Sequence, residues 1–168
     1  MNPPSPEPDF YETLAPQYDE FVNWDARLAV ELPFLERLLQ TVSHPDGSPA
    51  RVLDAAAGTA MHALALARRG FSAAAADPSL AMVAQARENA QAAGQSLRVE
   101  QAGFGEMAHA FGLHSPEQSG ALYFDALLCL GNSLPHVADA AGLGRALSDF
   151  AACLRMGGLL LLQNRNFH

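Results

Sequence analysis

The sequence predicts an α/β fold, a doubly wound parallel sheet of about five strands. Three observations carry that prediction. Short runs of apolar and small residues alternate with helical stretches along most of the chain, the order that builds parallel strands with crossover helices. Most of those runs lack the polar alternation of a half-exposed strand, and Ala121 to Leu130 is almost continuously apolar, as a strand buried on both faces must be. Acids, glycines and asparagines fall at the ends of the runs, where sheets of this kind bind ligands.

Met1 to Asp9, with four prolines and two acids, is too extended and polar to pack and is expected to be a mobile tail ahead of one domain over residues 10–168. Phe10 to Phe21 is aromatic-rich and interrupted by Pro16; its rings serve at least as hydrophobic anchors. Trp24 to Gln40 is amphipathic, with Leu28, Leu32, Leu35, Leu38 and Leu39 at helical spacing and Arg27, Glu31 and Glu36 between them. Pro33 sits inside that pattern, so the helix is expected to kink or restart there. Residues 43–49 have loop chemistry.

The first strand is expected over Arg51 to Asp54 and the first crossover helix over Met61 to Arg69, stopped by Gly70. Phe71 to Asp77 forms the second strand, and Pro78-Ser79 opens a helix to about Ala93, with Gly94 as its stop. Leu97 to Gln101 is the third strand. Met107 to Ser119 is poorly patterned, and His109 and His114, five apart, match no metal geometry on one helix face, so no metal site is expected. Ala121 to Leu130 is the fourth strand, Gly131 to His136 the loop at its carboxyl end, and Ala138 to Arg155 the next helix. Gly157-Gly158 turns the chain into a fifth strand over Leu159 to Gln163.

Composition limits the function. The 168 residues suit a single domain with one core, and 49% hydrophobic against 17% charged residues is globular. Ten basic residues against 18 acidic ones leave a net charge of −8, which repels phosphate backbones and anionic lipid. Nucleic acid and membrane are therefore excluded as expected partners. Cys129 and Cys153 lie in apolar segments and read as small buried hydrophobes of a reducing compartment. No signal peptide, transmembrane span or lipidation motif is visible, and a cytoplasmic location is expected.

The chemistry gathers at the strand ends. Asp54-Ala55-Ala56-Ala57-Gly58-Thr59-Ala60 links the first strand to the first helix, a turn that offers backbone N–H groups and a helix N-terminus to a ligand. Asp77 closes the second strand, where a carboxylate can accept from both hydroxyls of a ribose. Gly-x-Gly-x-x-Gly is not met, since Asp54-x-x-x-Gly58-x-Ala60 keeps one glycine. On these residues a generic nucleotide turn remains open. The Asp-x-x-x-Gly spacing resembles motif I of the class I S-adenosylmethionine-dependent methyltransferases, whose fold is Rossmann-like. Cys129-Leu130-Gly131-Asn132-Ser133-Leu134-Pro135-His136 and the stretch Arg155 to Phe167 resemble the glycine and sarcosine N-methyltransferase branch of that family, over roughly Tyr18 to Phe167.

That resemblance implies S-adenosyl-L-methionine as cofactor and a small-molecule amine, glycine- or sarcosine-like, as methyl acceptor. It places Gly58 and the backbone of Ala55, Ala56 and Ala57 beside the methionine moiety and Asp77 on both ribose hydroxyls, with Asp54 and Pro78 also among the cofactor contacts. Met82, Gly103, Phe104 and Leu130 would border the adenine, and Arg27 would hold the cofactor carboxylate. The N-terminal segment, Tyr18 included, resembles a lid across the pocket. Methyl transfer is an in-line displacement that needs a free lone pair held about 3 Å from the methyl, with water excluded. Asn132 can orient an amine by accepting its N–H bonds, Arg165 can clamp a carboxylate with its guanidinium fork, and His136 serves as pocket wall or base.

The chain also departs from the family. Ala60 replaces the last glycine of the turn, and Gly103 stands where the family offers Asp or Asn to the adenine amino group. The [Asp/Asn]-Pro-Pro-[Tyr/Phe] motif of base-modifying enzymes is absent after the fourth strand. No antiparallel pair follows the fifth strand, so the core is expected to be C-terminally truncated and its Leu159–Leu162 edge exposed. A catalytically weak cofactor-binding module and an unrelated nucleotide-binding domain are the alternatives to an active enzyme. The exposed edge predicts self-association through the fifth strand or poor activity; a monodisperse monomer with normal turnover would contradict it.

Overall fold

The structure is a computed structural model that describes residues 9–44, 47–113 and 123–165. Its strands are β1 Arg51–Ala55, β2 Ser72–Asp77, β3 Arg98–Gln101, β4 Phe124–Cys129 and β5 Leu154–Leu162. Its helices are α1 Asp9–Phe21, α2 Trp24–Gln40, α3 Met61–Ala67, α4 Leu80–Ala92, α5 Met107–Ala110 and α6 Ala140–Cys153. The strands pair in parallel throughout, in the order β3-β2-β1-β4-β5. The order reverses between β1 and β4, and that reversal opens the crevice in which such sheets hold ligands.

Alternation along the strands separates two cores. Leu53, Ala55, Leu127 and Cys129 pack with Met107, Phe111 and Phe150 on the side covered by α5 and α6. Val52, Ala126 and Leu128 face Leu32, Leu35 and Leu39 of α2 and Leu66 of α3, while Ala75 and Val99 meet Val83 and Ala86 of α4. All of β4 is buried, which accounts for its almost continuously apolar run. Both cysteines are free and buried, and burial pushes their thiols up to about 12.

Four local expectations change. Asp9, assigned to the tail, begins α1, and the aromatic segment after it is a helix with Pro16 inside; the rest of the tail lies outside the described residues. The packing of α1 on α4 overrides the local penalty of the proline. α2 does not restart at Pro33 but runs unbroken through it, capped by Asn23, whose side chain accepts from the Ala26 N–H at 3.0 Å. The unpatterned stretch contains α5, because Asp149 of α6 accepts from the N–H groups of Gly105, Met107 and Ala108 at 2.8, 2.9 and 2.9 Å. That cap comes from a residue far along the chain, and His114 lies outside the described residues.

The fourth change is at the edge. α6 ends at Cys153, before Arg155, and β5 begins at once with Leu154 instead of after the glycine pair. Phe124 pairs with Leu154 and Ala126 with Leu159, so Arg155 to Gly158 bulge out of the ladder. Asp125, buried in β4, holds the bulge: it accepts from the Arg51 N–H at 2.7 Å, bonds His44 Nε2 at 3.0 Å and pairs with Arg155 Nε. Burial alone would raise the Asp125 carboxyl, but these three bonds outweigh it and hold it below the usual range. β5 is an edge strand with Leu160 partly exposed and Met156 95% exposed. Among the described residues no helix is long and apolar enough to cross a membrane.

The bulge leaves no space at Gly158, where a Cβ would stand 3.0 Å from the Arg155 carbonyl oxygen and 3.1 Å from that of Asp125. Gly158→Ala is expected to cost about 1–3 kcal/mol, read as a lower midpoint in thermal or urea unfolding. An unchanged midpoint would mean that the bulge can shift to accept a methyl group.

Candidate active site

The ends of β1, β2 and β4 surround a cleft of about 500 Å³, within the size range of small-molecule pockets. The turn after β1 forms its floor. Ala56, Gly58 and Ala60 have φ of 54°, 57° and 61°, so the chain is left-handed at every second residue and enters α3 through a left-handed Ala60. Two of the three are not glycine, and each carries a steric cost of about 1–2 kcal/mol. Long-range bonds hold the turn: Ala57 N–H donates to the Ala76 carbonyl at 3.0 Å, and Gly58 N–H to Asp77 Oδ2 at 2.8 Å.

Asp77 is buried and accepts the Ser79 N–H on its other oxygen at 2.9 Å. Burial raises its carboxyl above the ordinary value, and the two N–H bonds counter part of that rise. Each oxygen keeps a lone pair for a ligand hydroxyl. Asp54 lies deeper, 2% exposed, with Oδ2 unpartnered among the described residues. Burial pushes it up to about 6, opposed by the His62 ring and the Ala63 N–H. A buried carboxylate oxygen without a donor, on a ligand cleft, suits a cationic or N–H-bearing group.

The wall beside Asp54 is one connected network. Glu31 Oε2 meets Arg27 Nε at 3.1 Å and His62 Nε2 at 2.6 Å; its Oε1 accepts from Gln163 Nε2 at 3.2 Å, and Gln163 in turn accepts the Gly131 N–H at 2.9 Å. Burial would raise Glu31, but the His62 and Gln163 bonds and the Arg27 charge outweigh it and hold its carboxyl low. The Arg27 guanidinium lies 5.2 Å from the Trp24 ring centre, and Trp24 stands edge-on to His62 at 5.5 Å. Tyr18 closes over the turn, with Cε1 3.9 Å from where a Gly58 Cβ would be.

The cleft brings together Tyr18, Arg27, Asp54, Ala56, Gly58, Asp77, Pro78, Met82, Gly103, Phe104, Leu130 and His136. It does not bring in Ala55, which is fully buried within β1. Asn132 and Arg165 do not line it either. Asn132, at φ 68°, turns its carboxamide oxygen to the Arg165 N–H at 2.9 Å, so it ties the end of β5 to the loop after β4. Among the described residues no group of three His, Cys, Asp or Glu side chains could hold a metal.

Sequence reasoning missed Trp24 and His62, and the far wall from α6, where Asp139, Gly142 and Arg145 line the cleft. Their spacing of three was a usable signal, since the first turns of a crossover helix face the strand ends. His62, in the first turn of α3, could have been found the same way.

An all-parallel sheet with its ligand crevice at the strand reversal, floored by a single-glycine turn and an acid from the next strand, defines a nucleotide-type cofactor domain. The chain belongs to the methyltransferase domain family, whose model matches residues 52–158. It is 33% identical over 159 residues to the glycine/sarcosine N-methyltransferase of Aphanothece halophytica, covering 95% of this chain and 55% of that relative. Rabbit (Oryctolagus cuniculus) glycine N-methyltransferase is 33% identical over 70% of this chain and 41% of its own length. The chain thus spans about half the length of the curated relatives it matches. SAM-bound CalS10, an amino pentose methyltransferase from Micromonospora echinaspora, shares the fold at TM-score 0.63 and 20% identity, over 99% of this chain and 60% of that one.

The folded pKa of Asp54 is raised, so its contribution to stability is fully present below about pH 4 and lost as pH rises through about 6. Asp54→Asn is expected to flatten the stability curve of the ligand-free protein over that window, removing a change of about 1–3 kcal/mol. Denaturant unfolding at a series of pH values reads this directly; an unchanged slope would show that Asp54 does not titrate there.

Proposed function

We propose that this chain binds S-adenosyl-L-methionine in the cleft and transfers its methyl group to the amine nitrogen of a small molecule. The observation that carries the reading is the 2.8 Å bond between Asp77 and the Gly58 N–H, which joins the acid of β2 to the turn of β1 at the sheet reversal. The unpartnered Asp54 oxygen fits the same cofactor, because an α-ammonium group supplies the missing donor. Arg27 stands on that wall for the α-carboxylate, and the outward lone pairs of Asp77 for the ribose hydroxyls.

When bound, the cofactor supplies a methyl group on a positively charged sulfur that leaves as a neutral thioether. The residues of the chain then have three tasks. Asp54, Arg27 and Asp77 fix the two ends of the ligand, Tyr18 and Trp24 cover the turn and limit water, and His136 closes the mouth or takes the proton that the methylated amine releases. Support for an amine acceptor comes from the glycine and sarcosine N-methyltransferases among the relatives. Asn132 and Arg165, the residues expected to orient the amine and clamp its carboxylate, stand outside the cleft wall, with the Asn132 carboxamide held on the Arg165 N–H.

Calorimetry with S-adenosylhomocysteine and with NAD tests the cofactor: the thioether is expected to bind and NAD not, and the reverse would refute the reading. Asp77→Ala should weaken the thioether by roughly tenfold or more, since it removes a charged acceptor. A methyl-transfer assay over glycine, sarcosine and other small amines tests the acceptor; binding without turnover would favour a cofactor-binding module. The β5 edge, with Leu160 and Met156 at its surface, is the face we assign to self-association, and analytical ultracentrifugation should show a concentration-dependent dimer.

A further inference from the structure

Asp19, in the last turn of α1, belongs to no motif and does not line the cleft, yet three elements converge on its carboxylate. Oδ1 accepts from Trp24 Nε1 at 2.9 Å and from Thr59 Oγ1 at 2.5 Å, and Oδ2 accepts from Asn89 Nδ2 at 2.8 Å. These donors belong to the first turn of α2, the turn after β1, and α4. The same Asn89 amide also donates to the Thr59 carbonyl at 3.2 Å, closing the group on itself.

Thr59 is fully buried and sits between Gly58 and Ala60, both left-handed. A turn in that conformation persists only where its surroundings over-determine it. Asp77 holds Gly58 from within the sheet; Asp19 holds Thr59 from outside it. Tyr18 is the chain neighbour of Asp19, so the same anchor sets the ring that lies over Gly58.

We propose that Asp19 is a positioning residue that clamps the N-terminal helix onto the cofactor turn, keeping the turn in its ligand-binding shape and Tyr18 across the cleft. The proposal rests on the S-adenosylmethionine reading of that cleft. Asp19 itself touches no ligand; it acts through Thr59 and Tyr18. A bond to a charged acceptor is the strong kind, so its loss should be visible at the turn it holds.

Two variants test the clamp from opposite sides. Asp19→Ala takes the acceptor away from all three donors, and Thr59→Val removes the hydroxyl donor. S-adenosylhomocysteine affinity by calorimetry is expected to fall roughly tenfold or more in each, and the double variant should be little worse than Asp19→Ala alone, because each single variant already breaks the bond between Asp19 and Thr59. Trp24 is the only tryptophan, so its emission reports the clamp without any ligand: in Asp19→Ala it should shift to longer wavelength as the indole N–H exchanges its partner for water. Unchanged affinity in both single variants, or losses that simply add, would overturn the proposal, even if the melting temperature falls. If Asp19→Ala does not fold, Thr59→Val decides by affinity alone. Failure of the unaltered protein to bind the thioether would sink the cofactor reading and this inference with it, whereas binding unaffected by the variants sinks only the clamp.

Discussion

The contact on which the rest depends is the Asp77 carboxylate on the Gly58 N–H, 2.8 Å apart. It joins two strand ends that parallel pairing has already brought side by side, with Ala55 opposite Ala76 in register. The turn between them has three left-handed residues in five, two of them alanine, and could not hold that shape alone. Asp77 supplies a charged acceptor to the turn, and the turn keeps that buried carboxylate satisfied. Each therefore makes the other tolerable in a place where water is scarce.

Charge is placed around this contact with some economy. The chain carries many more acids than bases, yet the buried acids of the sheet ends are each given work. Asp77 and Asp54 stand at the carboxyl ends of the strands, where ligand groups can meet them. Asp125 stands toward the opposite end, tying the Arg155 bulge and His44 to β4, so that it serves the fold and not the cleft. Asp149 caps α5 and thereby fixes the loop that carries Gly103 and Phe104. Glu31 links α2 to α3 and to the chain after β5, which makes one wall of the cleft a single hydrogen-bonded piece.

The apolar periodicity made the five strands, their parallel arrangement and most helices legible, because burial on two faces leaves a local mark on sequence. What stayed hidden was set by partners distant in sequence. α5 exists because Asp149, about forty residues further on, caps it. β5 starts early because Arg155 pairs with the Asp125 carboxylate and Gly158 packs against the Asp125 carbonyl. The site divides in the same way: Asp54, Gly58 and Asp77 sit at strand ends that short spacings mark, while Trp24 enters the cleft from a helix whose rotation is decided by packing.

By itself, then, the sequence determined a parallel α/β domain with a single-glycine turn and two acids at adjacent strand ends, because these follow from residue types and short spacings. The tertiary structure alone decided which side chains face the cleft. It put Asn132 on the Arg165 backbone, left one Asp54 oxygen without a donor among the described residues, and drew Asp19 onto Thr59. Such choices turn on hydrogen-bond partners tens of residues apart and on the loss of water around them, and neither leaves a pattern in the chain.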